Sequence, residues 1–304
     1  MGELTTHELV TRLRGWVERL WPDPSRAAEV DAALRAEFDG DGRPVDAAVC
    51  TELQAVANRW SKHLELVHEP DGDREADVDP PGWPPPDPDA VARRAAFVSA
   101  VTRRADGVAV VRVDNLDPVE LAAPYLEAAF RLAAGAAGVV VDLRANGGGD
   151  PGTVALVVDW ATGGGPPRRI CDVVYRDVVR QWWTPGRPAA TAVRAGTPVA
   201  VLVSGRTYSS GEALAYHLQQ RGALAVGETT RGAADHITPI RLARTVQGYL
   251  PEAYVVDAAS GANWEGGGVA PDVACPAADA EDVAAERLLT MERTLHQITA
   301  RTDH

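Results

Sequence analysis

A pair of serines at a strand-to-helix junction is the first place where this chain has chemistry to offer. In Thr207-Tyr208-Ser209-Ser210-Gly211-Glu212, two hydroxyls follow the apolar run Pro198 to Val203 and precede a helical stretch, Ser210 to Arg221. A serine there lies near unbonded N–H groups and the positive end of the helix dipole, which favour an alkoxide or an oxyanion. The N–H of the next residue can donate to that oxyanion. The position also suits a plain N-cap, for which serine is a favoured residue. A second segment, Asp142-Leu143-Arg144-Ala145-Asn146-Gly147-Gly148-Gly149-Asp150, follows another buried strand. Three bare glycines let backbone approach a ligand closely, or simply make a flexible turn. No GK[ST] follows and no GxGxxG enters a helix, which argues against a phosphate loop.

A hydroxyl nucleophile needs a proton acceptor. Lys62 is the only lysine among the 30 basic residues, so a lysine mechanism must use it or be abandoned. No HExxH or CxxC pattern is present, which disfavours a metal hydrolase; no metal and no cofactor is expected. Cys50, Cys171 and Cys275 are widely spaced and odd in number, which suggests a reducing compartment. The net charge of −13 argues against nucleic acid or anionic membrane as partner. The apolar runs are far shorter than the ~20 residues that span a bilayer. The acidic start Met1-Gly2-Glu3-Leu4 lacks a basic-then-apolar leader. A cytoplasmic protein with no membrane insertion is the expectation.

The elements that must position these residues fall into two patterns. Residues 1–68 read as three short helices. One carries Leu9, Leu13, Trp16, Val17 and Leu20, and a later one carries Val49, Leu53, Val56 and Trp60, at helical spacing. Residues 69–89 hold seven prolines and eight acidic residues against one arginine, which reads as a linker that drapes over the surface. From residue 90 to 304, strands near Val108 to Val113, Val139 to Leu143, Pro198 to Val203 and Ala223 to Val226 alternate with helices. Such alternation implies a mostly parallel α/β sheet with flanking helices. Both candidate segments then lie at carboxyl ends of strands, where open parallel sheets bind ligands.

Four segments occur in order: Asp142 to Gly149, Thr207 to Glu212, Val226 to Gly232, and Asn263-Trp264-Glu265-Gly266-Gly267-Gly268-Val269-Ala270-Pro271-Asp272. Together they resemble the C-terminal-processing (tail-specific) serine peptidases. The branch is the one similar to interphotoreceptor retinoid-binding protein and the tricorn protease core. The likeness runs from about residue 9 to 276, including Trp60-Ser61-Lys62-His63-Leu64-Glu65-Leu66. It implies a ClpP/crotonase-like core, a small helical N-terminal subdomain and a peptidase reaction. On this resemblance Ser209 is the nucleophile. Ser210 and Gly148 supply the oxyanion N–H groups. Glu212 completes a Ser-x-x-Glu pattern, with a capping-box acid as its plainer role. Gly147, Gly149, Arg144 and His63 join the substrate-binding set.

Two departures matter. Where the C-terminal-processing enzymes have a lysine base, this chain has Ala233, and the peptide-tail-binding PDZ insert is missing. The base is then expected to be His236, where the retinoid-binding-protein-like branch has a histidine, with Glu265 orienting it. His63 is the rival base, and Lys62 a distant third. His217, inside a helix, reads as structural. The expected reaction is amide hydrolysis of a peptide through an acyl-enzyme. The alternatives are acyl transfer or cyclisation on a small acyl substrate or modified peptide, and a non-catalytic binder of an apolar ligand.

Overall fold

The computed structural model describes residues 4–186 and 193–302, with side chains through Leu295. In chain order the elements are α1 (Thr6–Leu20), α2 (Pro24–Phe38), α3 (Ala47–Ala57), β1 (Glu65–His68), α4 (Pro88–Arg93), β2 (Val98–Arg103), β3 (Ala109–Val113), α5 (Val119–Ala133), β4 (Val139–Asp142), α6 (Pro151–Ala161) and β5 (Arg169–Tyr175). They continue with β6 (Val179–Trp183), β7 (Val199–Val203), α7 (Ser210–Gln219), β8 (Leu224–Gly227), β9 (His236–Ala243), β10 (Val246–Asp257), β11 (Val273–Ala274) and α8 (Ala280–Thr302).

The chain divides into two compact units, each assembled from separate stretches. One unit comprises Met1–Pro85, Asp172–Arg180 and Ala233–Val256. Its helices start where local chemistry dictates. Thr5 and Glu8 form a reciprocal capping box on α1, and Asp23 caps α2 ahead of Pro24. The fully buried faces of α1 to α3, with Leu9, Leu13, Leu34 and Leu53, form one core with Ile240, Leu242, Val246 and Leu250 from β9 and β10. The helical segment is therefore not self-contained at residue 68: three short helices bury too little apolar surface alone, and the β9–β10 hairpin closes their core. Strand β10 lies at the centre of an antiparallel region, pairing with β9 on one side and β1 on the other. Part of the acidic segment lies against this hairpin. Asp77 and Arg241 exchange backbone and side-chain hydrogen bonds, Arg241 Nη1 donates to Glu69 Oε2 at 2.6 Å, and Trp83 stacks on Tyr249.

The other unit comprises Pro86–Cys171, Gln181–Gly232 and Asp257–His304. Its six-stranded sheet runs β11-β8-β7-β4-β3-β2, all neighbours parallel except β2 against β3. The central strands read as continuous apolar runs because both faces are covered. Val140, Ala200, Leu202 and Val226 pack on Ala284, Ala285 and Leu288 of α8. Alternate residues point the other way, the side taken by α5, α6 and α7. This is the mostly parallel α/β sheet with flanking helices that the alternating pattern predicted. Its strands β4, β7 and β8 all end toward the candidate loops.

Candidate active site

The two glycine- and serine-bearing segments meet, as the topology requires of loops leaving the same ends of adjacent parallel strands. Thr207 Oγ1 donates to the Leu143 carbonyl at 2.9 Å, Ser204 Oγ to the Arg144 carbonyl at 2.6 Å, and Tyr208 N–H to the Asn146 carbonyl at 3.0 Å. These bonds bind the turn after β7 to the loop after β4.

Ser209 is half-buried and stands at the head of α7 with φ +54° and ψ −126°. A non-glycine residue in that region costs about 1–3 kcal/mol and persists only where its surroundings fix it. An ordinary N-cap is extended with negative φ, so capping alone does not account for this conformation. The surroundings are visible. Ser209 N–H donates to Glu212 Oε2 at 3.0 Å, and Gly211 N–H donates to the Tyr208 carbonyl at 2.9 Å. A Cβ on Gly211 would stand 2.4 Å from Asn146 Oδ1, so the second helical position must be glycine.

Glu212 is fully buried. Besides Ser209 it accepts from Thr230 Oγ1 at 2.5 Å and from Gly232 N–H at 2.6 Å. With these three donors it ties the Ser209 turn to the loop after β8, beside the catalytic role expected from the motif. Thr230 extends the tie, because its Oγ1 also accepts Val269 N–H at 2.7 Å. Gly266 N–H donates to the Gly232 carbonyl at 2.8 Å, and a Cβ on Gly268 would stand 2.3 Å from the Thr230 carbonyl. The loop bearing half-buried Glu265 is thereby held against the loop that follows β8.

The glycine triplet differs from expectation at Gly148. Its N–H donates to Asn146 Oδ1 at 2.9 Å and is not available to an oxyanion. Gly147 N–H donates to the Asp114 carbonyl at 3.2 Å, and Gly149 accepts Ser210 Oγ at 2.7 Å through its carbonyl. Arg144 also differs. Its guanidinium is taken by both oxygens of Asp142, at 2.8 and 2.6 Å, and by the Ala277 carbonyl at 2.7 Å. It braces the end of β4 through these bonds, where substrate binding was expected.

Asn146 was the residue that sequence reasoning missed. It is fully buried, donates Nδ2–H to the Val113 carbonyl at 2.9 Å, and organises both Gly148 and Tyr208. A buried amide between a strand and a glycine triplet was its only signal.

A second buried cluster supports α7 from its other end. His217 Nδ1 is 2.8 Å from Asp257 Oδ2, Arg221 Nη1 donates to the same oxygen at 3.0 Å, and Asp257 Oδ1 accepts the N–H groups of Ala259 and Ser260 at 2.8 Å. Burial drives the His217 imidazole toward its neutral form. Burial alone would raise the Asp257 carboxyl, but the hydrogen bonds of His217, Ser260 and Arg221 hold it well below the usual carboxylate range. Trp264, next to Glu265, packs edge-on against His217 at 5.9 Å and tilted against Tyr216 at 5.1 Å.

The two candidate bases belong to the helical and hairpin unit. His236 is half-buried at the start of β9, with Ala253 as its Cα partner. His63 is buried after α3. Its backbone N–H donates to Ser61 Oγ at 3.2 Å, and its ring Nδ1 is bonded to the Asp235 carbonyl. Among the described residues no group of three or more His, Cys, Asp or Glu is placed to hold a metal ion.

Residues 107–275, more than half of the chain, match the family model for peptidase family S41. The chain belongs to peptidase family S41. It is a serine-type peptidase, as the four motifs predicted. Three solved structures share its fold across 94% of this chain and 98% of theirs. A putative peptidase from Parabacteroides merdae has TM-score 0.59 at 12% identity, and a lipoprotein from Streptococcus agalactiae has 0.58 at 12%. A photosystem II D1 C-terminal processing protease has 0.53 at 16%. No helix among the described residues of this S41 peptidase is long and apolar enough to cross a membrane.

Proposed function

We propose that this S41 peptidase cleaves peptide bonds through an acyl-enzyme on Ser209. The observation that carries the assignment is the left-handed φ of Ser209 at the head of α7, held by Glu212 and by the loop around Asn146. Ser210 N–H, in the first turn of α7, has no intrahelical acceptor and is one oxyanion donor. Gly147 and Gly148 spend their N–H groups on Asp114 and Asn146, so Gly149 N–H is the second donor. These donors act on charge that develops only as the carbonyl is attacked, which lowers the barrier and not merely the ground state.

The base is a histidine, since position 233 is alanine. Sequence position favours His236, with Glu265 setting its orientation. The geometry of His63 supports the rival reading. A backbone carbonyl only accepts, so Nδ1 carries the proton and Nε2 is the basic nitrogen. A ring fixed in that tautomer suits removal of the Ser209 proton and its return to the leaving amine.

Peptides are the substrate class, and trimming near a carboxyl terminus is the first activity to assay. Cys50, Cys171 and Cys275 form no disulfide, which supports a reducing compartment such as the cytoplasm. The test is fluorophosphonate labelling with a peptidase assay on Ser209→Ala, His63→Gln and His236→Gln. Ser209→Ala should neither label nor cleave. The histidine whose loss lowers kcat by about 10²–10⁴-fold is the base. Full activity of Ser209→Ala overturns the assignment.

A further inference from the structure

Arg231 is exposed in the loop after β8, and its guanidinium carbon lies 4.5 Å from the centre of the Tyr208 ring. Tyr208 is the residue before the nucleophile. The stack is anchored on both sides by backbone. Arg231 N–H donates to the Thr207 carbonyl at 3.3 Å, the next N–H, of Gly232, donates to Glu212 Oε1 at 2.6 Å, and Tyr208 N–H donates to the Asn146 carbonyl at 3.0 Å. The cation is therefore held next to the Ser209 turn by the same network that strains Ser209.

Two arginines of this unit that border the same loops and helix are neutralised within the fold. Arg144 lies on Asp142 and Arg221 on Asp257. Among the described residues, no carboxylate makes an ion pair with Arg231, in a chain whose net charge is −13. A guanidinium seated over a ring face spends none of its N–H donors on that contact and keeps them for a carboxylate. Stacking also removes part of the rotamer freedom that an exposed arginine would lose on binding.

We propose that Arg231, seated on Tyr208, is the specificity-determining subsite of this peptidase for a substrate carboxylate close to the scissile bond. The proposal rests on Ser209 as nucleophile. The carboxylate has two sources, an acidic side chain or the free carboxyl terminus of the peptide. An exposed pair of this kind discriminates by about fivefold, mainly in KM, and weakens as salt screens it.

The experiment uses the full chain and a peptide library in which Glu and Gln are exchanged at each position within three residues of the cleaved bond. Every peptide is made with a free and with an amidated carboxyl terminus. The wild type should favour the carboxylate-bearing member of one such pair by about fivefold, and the preference should shrink at high salt. Arg231→Gln should bring that ratio to about one, and Arg231→Lys should recover part of it. Dependence on Glu assigns an acidic side chain, and dependence on the free terminus assigns the terminal carboxylate. Either result supports the subsite. A wild type indifferent to every exchange, or an Arg231→Gln variant that lowers all members equally, overturns it. So does a protein that labels with fluorophosphonate and cleaves no member. Fluorophosphonate labelling of Ser209→Ala separates this failure from failure of the nucleophile assignment.

Discussion

Ser209 and Ser210 differ by one position and by everything that matters for reactivity. Ser209 occupies a conformation that serine adopts only under constraint, whereas Ser210 spends its hydroxyl on the Gly149 carbonyl at 2.7 Å. Ser209→Ala should lose cleavage while the thermal midpoint moves little, because loss of a hydroxyl at a helix start costs about 0.5–2 kcal/mol. Ser210→Ala should keep most activity, since its backbone N–H remains. An active Ser209→Ala beside a dead Ser210→Ala would shift the register by one. Gly148 tests the fit around Ser209. It sits at φ +110°, and an added Cβ would stand 2.8 Å from Ser209 Cβ. Gly148→Ala should therefore lower kcat at least tenfold in a protein with native circular dichroism. Wild-type kcat would show that the triplet yields where the structure says it cannot.

At the scale of elements, α7 is held at both ends, and the two ends make different predictions. At its head, Thr230 joins Glu212 to Val269. Thr230→Val keeps the shape and removes both bonds, at about 1 kcal/mol for each. The expected result is a lower kcat and faster hydrogen exchange confined to the loops at 228–232 and 263–269. Uniform exchange would refute the tie. At the other end, Asp257 is depressed by its hydrogen bonds and His217 by burial, so the unfolded chain binds more protons than the folded one at both groups. Stability then rises with pH in both windows. The His217 share is lost as pH falls below about 6.5, and the Asp257 share as it falls below about 3.9. Thermal midpoints measured from pH 8 to 5 should decline, and His217→Gln should flatten that decline. A decline of the same size in the variant would remove His217 from the account.

For the whole molecule, the sequence boundary between a helical subdomain at 1–68 and an α/β domain from 90 is the point most exposed to test. Ile240, Leu242, Val246 and Leu250 lie in the same core as Leu9, Leu13 and Leu53. A protein starting at residue 90 would leave that face of the β9–β10 hairpin bare. It should aggregate or melt far below the intact chain, and a soluble, cooperatively melting fragment would restore the sequence boundary. The sheet of the other unit needs no such help, since α8 and α5 to α7 cover its two faces from within.

Periodicity alone determined the parallel sheet, because buried strands such as Val139–Asp142 and Val199–Val203 are uniformly apolar and the helices between them are amphipathic. The place of Ser209 and the glycine triplet at the carboxyl ends of buried strands likewise pointed to loops that now meet, and the family resemblance added Glu212 and Glu265. The hairpin β9–β10 was not legible as the partner of α1 to α3, since that pairing joins residues some 200 positions apart and leaves no local pattern. Nor did the sequence say where each N–H goes. That Gly148 is spent on Asn146, that Arg144 braces Asp142, and that Glu212 holds three donors are results of side chains converging in space. Residue type limits which hydrogen bonds a group is able to make, but only the tertiary arrangement decides which of them it does make.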